Sequence, residues 1–158
     1  MPSSFRSVSV GLISDTHGLM RPEALAALAG SRYIIHAGDI GDPAVLEALR
    51  RIAPVTAVRG NNDRDAWARR LPETDLLEVG KTRIYVIHNI AELAVDPKAE
   101  GIGVVVSGHS HRPVAERRAG VLYVNPGSAG PRRFRLPIAV ARLEVSARRV
   151  SCEGIELG

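Results

Sequence analysis

The chain has 158 residues, of which 45% are hydrophobic and 24% charged, the length of one globular domain and a composition far from that of disordered chains. A single domain over 1–158 is expected. No apolar run reaches the roughly 18 residues of a membrane span, the first residues do not read as a secretory signal, and Cys152 is the only cysteine, which excludes an intramolecular disulfide and a thiolate metal cluster. A reducing cytoplasm is the expected compartment. The net charge is +4, and 19 of the 21 basic residues are Arg scattered along the chain, with six aromatics that do not interleave with them. No dedicated nucleic-acid surface is expected.

Taken in chain order, the first half alternates short apolar runs with amphipathic stretches. Residues 7–14 predict a strand, 21–30 a helix with Pro22 in its first turn and Gly30 as its stop, and 32–38 a second strand. Residues 42–52 predict a helix capped by Asp42 with Pro43 at its first position, and 54–60 a third strand. That βαβαβ beginning implies parallel pairing. Residues 74–89 then read as two strands joined at Val79-Gly80-Lys81, followed by a short helical or irregular piece and a strand in 101–108. Hairpins close the chain, one turning at Ala119-Gly120 and one near Ser146-Ala147. Parallel units followed by hairpins predict mixed sheets packed face to face and flanked by helices.

Polar groups able to bind metal follow the predicted strands: Asp15 and His17 in SDTHG, Asp39 in HAGD, Asn61 in GNND, His88 in IHN, and His109 with His111 in GHSH. Successive blocks are 21 to 27 residues apart, about the length of one strand and its return, so each group falls at the carboxyl end of a different strand. Carboxylate, imidazole and amide suit Zn, Mn, Fe, Ni or Co, and seven groups are too many for one tetrahedral ion. Asp39 could bridge two ions, the arrangement of a two-metal hydrolase.

In this order the blocks D-x-H, G-D, G-N-x-D, H and G-H-x-H resemble the calcineurin-like metallophosphoesterase superfamily. The short length, the HAGD form and the tail NPGSAGPRR at 125–133 are similar to its small bacterial and archaeal phosphodiesterase branch. The resemblance implies a four-layer α/β/β/α sandwich and two divalent ions, Mn foremost. Asp15, His17, Asp39 and His111 would hold one ion, and Asp39, Asn61, His88 and His109 the other. It further implies a hydroxide bridging the metals that attacks phosphorus in line, with Asn61 and His109 also touching the phosphoryl oxygens. The substrate would be a small phosphodiester; homo-oligomerisation is compatible with the sequence.

Two positions depart from the pattern. The residue after the metal-binding Asn is usually His, or Cys in the small branch, and here it is Asn62, whose amide cannot donate a catalytic proton. Asn62 is read instead as a phosphoryl contact. The block at His88 usually continues with Gly, and here Asn89 follows. His36, three residues before Asp39 and without a block of its own, is read as a supporting residue behind the ligands. Asp63 is read either as a cap of the segment 64–70 or as a support for a ligand. In the tail, a turn at Pro126-Gly127 competes with Asn125, Ser128 or Arg132 reaching the site. Rival functions are a phosphomonoesterase or nucleotide hydrolase, and a non-catalytic interaction scaffold resembling the retromer's phosphoesterase-like subunit. A full set of seven competent ligands favours catalysis.

Overall fold

The computed structural model describes residues 7–157. Strand β1 (Val8–Ile13) leads into helix α1 (Pro22–Leu28), β2 (Tyr33–His36), helix α2 (Pro43–Arg50) and β3 (Val55–Ala57). After the four-residue helix α3 (Ala66–Arg69) come β4 (Thr74–Val79), β5 (Thr82–Ile87) and a 3-10 turn at Ile90–Glu92. The rest is β6 (Val104–Val106), β7 (Val114–Arg118), β8 (Val121–Asn125), β9 (Ala139–Val145) and β10 (Val150–Glu156).

The strands form two mixed five-stranded sheets, ordered β10-β9-β1-β2-β3 and β4-β5-β6-β8-β7. In the first, β1, β2 and β3 are parallel and β9 runs antiparallel to β1 and β10. In the second, β5, β6 and β8 are parallel between the antiparallel β4 and β7. This is the expected α/β sandwich of two mixed sheets.

Alternation along each strand decides what it faces. Val10 and Leu12 of β1, Leu143 and Val145 of β9, and Val104 and Val106 of β6 meet in the core between the sheets. Ile13 of β1 and Val140 of β9 point the other way, against Leu28 of α1 and Leu46 and Leu49 of α2. Helix α2 starts where the sequence indicates: Asp42 accepts the Ala44 amide at 2.8 Å and Pro43 occupies the first turn. The outer face of the second sheet, with Val105 and Val121, is covered by Val95 beyond the 3-10 turn rather than by a long helix.

The register aligns the carboxyl ends of the parallel strands. Ile13 lies beside His36 and His36 beside Ala57, while Val86 pairs with Val106 and Val106 with Val124. The loops leaving these strands therefore crowd one rim of the sandwich. Among the described residues, no helix is long and apolar enough to cross a membrane.

Candidate metal centre

The rim brings together the polar groups that the sequence spreads over 97 positions. His17 Nε2 is 4.0 Å from Asp15 Oδ1 and 3.8 Å from Asp39 Oδ2. His88 Nε2 is 4.0 Å from the same Asp15 oxygen and 3.4 Å from the same Asp39 oxygen. His111 Nε2 lies 3.4 Å from Asp15 Oδ1, and its ring is 5.5 Å from that of His17. On the other side His109 meets His88 with ring centroids 5.2 Å apart, and Asn61 Oδ1 is 3.1 Å from His88 Nε2. Two carboxylate oxygens thus sit between two histidine pairs.

Backbone geometry sets these side chains. Asp15, His17, Asp39, His109 and His111 all have positive φ, between 47° and 70°, a region costly for most L-residues but tolerated by Asp and His. Glycines let the loops close on one another. A Cβ at Gly60 would lie 2.1 Å from Asp39 Oδ1, and one at Gly108 would lie 2.0 Å from Ser14 Oγ.

The unsatisfied atoms test whether cations fit. Asp15 is fully buried; its Oδ2 accepts from Ser14 Oγ at 2.7 Å and from the His109 amide at 3.1 Å. Its Oδ1 has no hydrogen-bond partner, nor has His17 Nε2, a costly state for buried polar atoms. His88 donates Nδ1–H to the Ala37 carbonyl at 2.8 Å, so in the neutral ring its Nε2 directs a lone pair at two acceptor oxygens, Asn61 Oδ1 and Asp39 Oδ2. Either a proton or a cation resolves that conflict. The donor set is one that divalent transition ions accept, and Asp15 with His17 and His111, and Asp15 with Asp39 and His88, each offer atoms within 4.8 Å of one another.

The same crowding moves the titrations. Burial pushes the Asp15 carboxyl up, against the Ser14 hydrogen bond. Burial also opposes ionisation of Asp39, but hydrogen bonds from His88 and Asn62 outweigh it and hold that carboxyl well below the usual range. For His88, burial is outweighed by the hydrogen bond and charge of Asp39, so its pKa rises. Burial lowers His111, against the pull of Asp15 and with help from the Arg133 charge.

Behind the rim stands a set of supports. His36 is fully buried; Nδ1 accepts the Gly38 amide at 3.1 Å, which leaves Nε2–H to donate to Thr16 Oγ1 at 3.0 Å, and Thr16 donates on to the Ile40 carbonyl at 2.8 Å. It ties the Asp15–His17 loop to the Asp39 loop, and burial lowers its pKa to about 3. Asp63 does not cap α3, whose N-cap is Asp65. Its carboxylate accepts the amides of Ile40, Gly41 and Gly60 at 2.9 to 3.1 Å, binding the Asp39 loop to the Asn61 loop.

Asn62, expected beside a phosphoryl oxygen, has its donors on Asp39 instead: the backbone amide on Oδ1 and Nδ2 on Oδ2, both at 3.0 Å. The tail turns at Gly127 (φ 84°) and also reaches the site's frame. Ser128 Oγ donates to the Asp15 carbonyl at 3.1 Å, and Asn125 Nδ2 to the Gly108 carbonyl at 2.9 Å. Arg132 is exposed, and it is Arg133 whose charge bears on His111. Ser14 and Thr16 carry supporting bonds that their sequence positions announce only by standing next to Asp15.

The family model of the calcineurin-like phosphoesterase superfamily domain matches residues 8–148. The chain belongs to this superfamily. A probable metallophosphoesterase of Methanothermobacter thermautotrophicus is 32% identical over 165 residues, covering 94% of this chain and 92% of that protein. The phosphodiesterase YfcE of Escherichia coli K12 is 30% identical over 145 residues, 73% of this chain and 76% of its own. Among solved structures, Vps29 of Chaetomium thermophilum shares the fold with a TM-score of 0.75 at 20% identity, covering 94% of this chain and 97% of its own. The family is one of phosphate-ester hydrolases that bind divalent metals, and this phosphoesterase presents candidate ligand groups for them.

Proposed function

We propose that this protein hydrolyses a phosphodiester at a pair of divalent ions. Asp15, His17, Asp39 and His111 would hold one ion and Asp39, Asn61, His88 and His109 the other, with Asp39 as the shared ligand. The observation that carries the reading is the partnerless Asp15 Oδ1, buried together with Asp39 Oδ2 between the His17/His111 and His88/His109 pairs. Divalent ions held there, with Mn the expected metal, would supply a water activated as nucleophile and charge to neutralise the phosphoryl oxygens.

The protein's own groups supply position. Asn62 fixes the Asp39 carboxylate through two hydrogen bonds. Asn61 and His109 stand at the open edge of the centre, both exposed, where they reach phosphoryl oxygens as charge develops. Because Asn62 carries no transferable proton, the leaving group departs on its own acidity. Arg132, on the exposed tail beside Arg133, is the arginine we assign to the substrate's outer edge. The lone Cys152 and the absence of a spanning helix among the described residues support a cytoplasmic setting.

A scaffold role has the Vps29 likeness behind it, but a scaffold has no need of seven intact ligand positions. The test is hydrolysis by metal-stripped protein titrated with Mn, Ni, Co, Zn and Mg, using aryl diesters, alkyl diesters and aryl monoesters. Turnover that needs metal, with aryl diesters first, is expected. Inactivity with every ion, or monoesters preferred over diesters, contradicts the reading.

A further inference from the structure

Two separate clefts share His109 and Asn89 in their walls. The larger, of about 390 Å³, runs past Asn61 and His88 and has Tyr85, Ile87 and Ala94 on its walls, with Arg59, Glu73 and Glu92. The smaller, of about 160 Å³, lies over Ile90, Val114 and Tyr123. Ligand sites commonly measure about 300–1,000 Å³, so the first admits a larger ring-bearing arm and the second a smaller one, no bigger than a single ring.

We propose that these clefts receive the two ester arms of the substrate and that Asn89, with His109, is the partition between them. The inference rests on the phosphodiesterase reading. A phosphorus held beside His109 has an arm to send to each side, which a monoester lacks.

The partition is fixed by its own hydrogen bond: Asn89 Oδ1 accepts the Ala91 amide at 3.0 Å, starting the 3-10 turn that carries Ile90 into the smaller cleft. A glycine there would leave only the His109 side chain between the clefts.

Charge defines the arms. In the larger cleft the Arg59 guanidinium is engaged by Glu73 at 2.9 Å and by the Leu71 carbonyl, while Glu92 adds a second carboxylate. A further phosphate on that arm is therefore disfavoured, and an uncharged aromatic arm with hydrogen-bonding groups fits the Tyr85 and Ile87 walls. In the smaller cleft Arg118 is paired with Glu116 and stacked 5.0 Å over Tyr123, which leaves an apolar floor for a small alkyl or single-ring arm. The substrate class is an acyclic, unsymmetrical phosphodiester. A cyclic diester, with both ester oxygens on one ring, occupies one cleft only and is a poor substrate.

The test compares 4-nitrophenyl methyl phosphate with bis(4-nitrophenyl) phosphate on the metal-loaded enzyme. Val114 is 38% exposed on strand β7, every residue of which is exposed, so a bulky side chain there fills the smaller cleft without entering the core. Val114→Trp should lower kcat/KM for the bis-aryl ester at least tenfold relative to the methyl ester. Ala94→Trp should lower both by similar factors, since each has a ring for the larger cleft. Asn89→Gly should raise the bis-aryl to methyl ratio by joining the clefts.

Equilibrium binding of diphenyl and methyl phenyl phosphate, whose poor leaving groups suppress turnover, reads the same pattern without chemistry. If the esters bind with this selectivity but none is hydrolysed, the clefts stand and the catalytic reading falls. If hydrolysis is normal and the ester ratio is unchanged in Val114→Trp and in Asn89→Gly, the two-cleft assignment is wrong.

Discussion

The two rims of the sandwich are built from the same strands and both reverse the chain through left-handed positions, but the metal rim sets polar donors beside its glycines Gly18, Gly38 and Gly41. At the rim away from the metal centre the left-handed turn positions are held by Gly80 (φ 59°), Ala119 (φ 49°) and Gly120 (φ 82°), with Lys81, Arg117, Arg148 and Arg149 around them. At the metal rim five left-handed positions belong to Asp15, His17, Asp39, His109 and His111. Glycine would relax each of them, since a left-handed L-residue costs about 1–2 kcal/mol. A residue whose side chain is required cannot be traded for one that has none. The difference teaches that strain at the metal rim is retained for its donors, while the far rim is free to relax.

The largest effect expected from breaking this contrast is at Asp39. Asp39→Ala should abolish diester hydrolysis and metal binding while far-ultraviolet circular dichroism stays that of a folded chain, because the residue lies on a rim. Two bound equivalents and normal turnover in that variant would defeat the shared-ligand assignment.

Next in size is Asp63, which holds no metal in this account. Asp63→Ala leaves the Ile40, Gly41 and Gly60 amides without their acceptor. A loss of about 1–3 kcal/mol is expected for each buried donor left unpaired, together with about 10- to 100-fold weaker metal binding. Urea unfolding and metal titration read the two effects.

His36 sharpens the comparison further. His36→Gln should lose much less metal affinity than His88→Gln or His109→Gln. With its pKa lowered from 6.5 to about 3 in the folded chain, its neutral form is the native one, and the unfolded chain binds the extra proton between those values. Its contribution to stability is complete above pH 6.5 and falls as pH drops toward 3, by up to about 1.4 kcal/mol per pH unit. Unfolding curves of metal-free wild type and His36→Gln should therefore converge as pH falls through that window. Parallel curves would contradict the neutral, buried imidazole.

The smallest change belongs to the far rim. Ala119→Gly removes one left-handed alanine from an exposed hairpin and should stabilise by about 0.5–1 kcal/mol, the relief exceeding the added freedom of the unfolded chain. A melting midpoint raised by a few degrees with unchanged activity checks it.

Much of this is legible in the sequence. The Val-rich runs, Asp42-Pro43 and the Ala119-Gly120 turn mark elements by local chemistry, and the recurring blocks place Asp15, His17, Asp39, Asn61, His88, His109 and His111 on neighbouring loops. The supports are harder to read, because Asp63, Ser128 and Asn125 act chiefly through carbonyls and amides, several of them 17 to 113 positions away, and backbone partners leave no trace in residue type. Asn62 is a different case: its neighbours in sequence suggest substrate, while in the structure its donors go to the Asp39 carboxylate.

The central claim is the shared pair of ions. Metal-free protein titrated with manganese, with bound metal counted and bis(4-nitrophenyl) phosphate hydrolysis followed at each addition, tests it most directly. Two equivalents should bind per chain, with turnover rising chiefly with the second and both lost in Asp39→Ala. Saturation at one equivalent with full turnover, or hydrolysis before any metal is added, would contradict it.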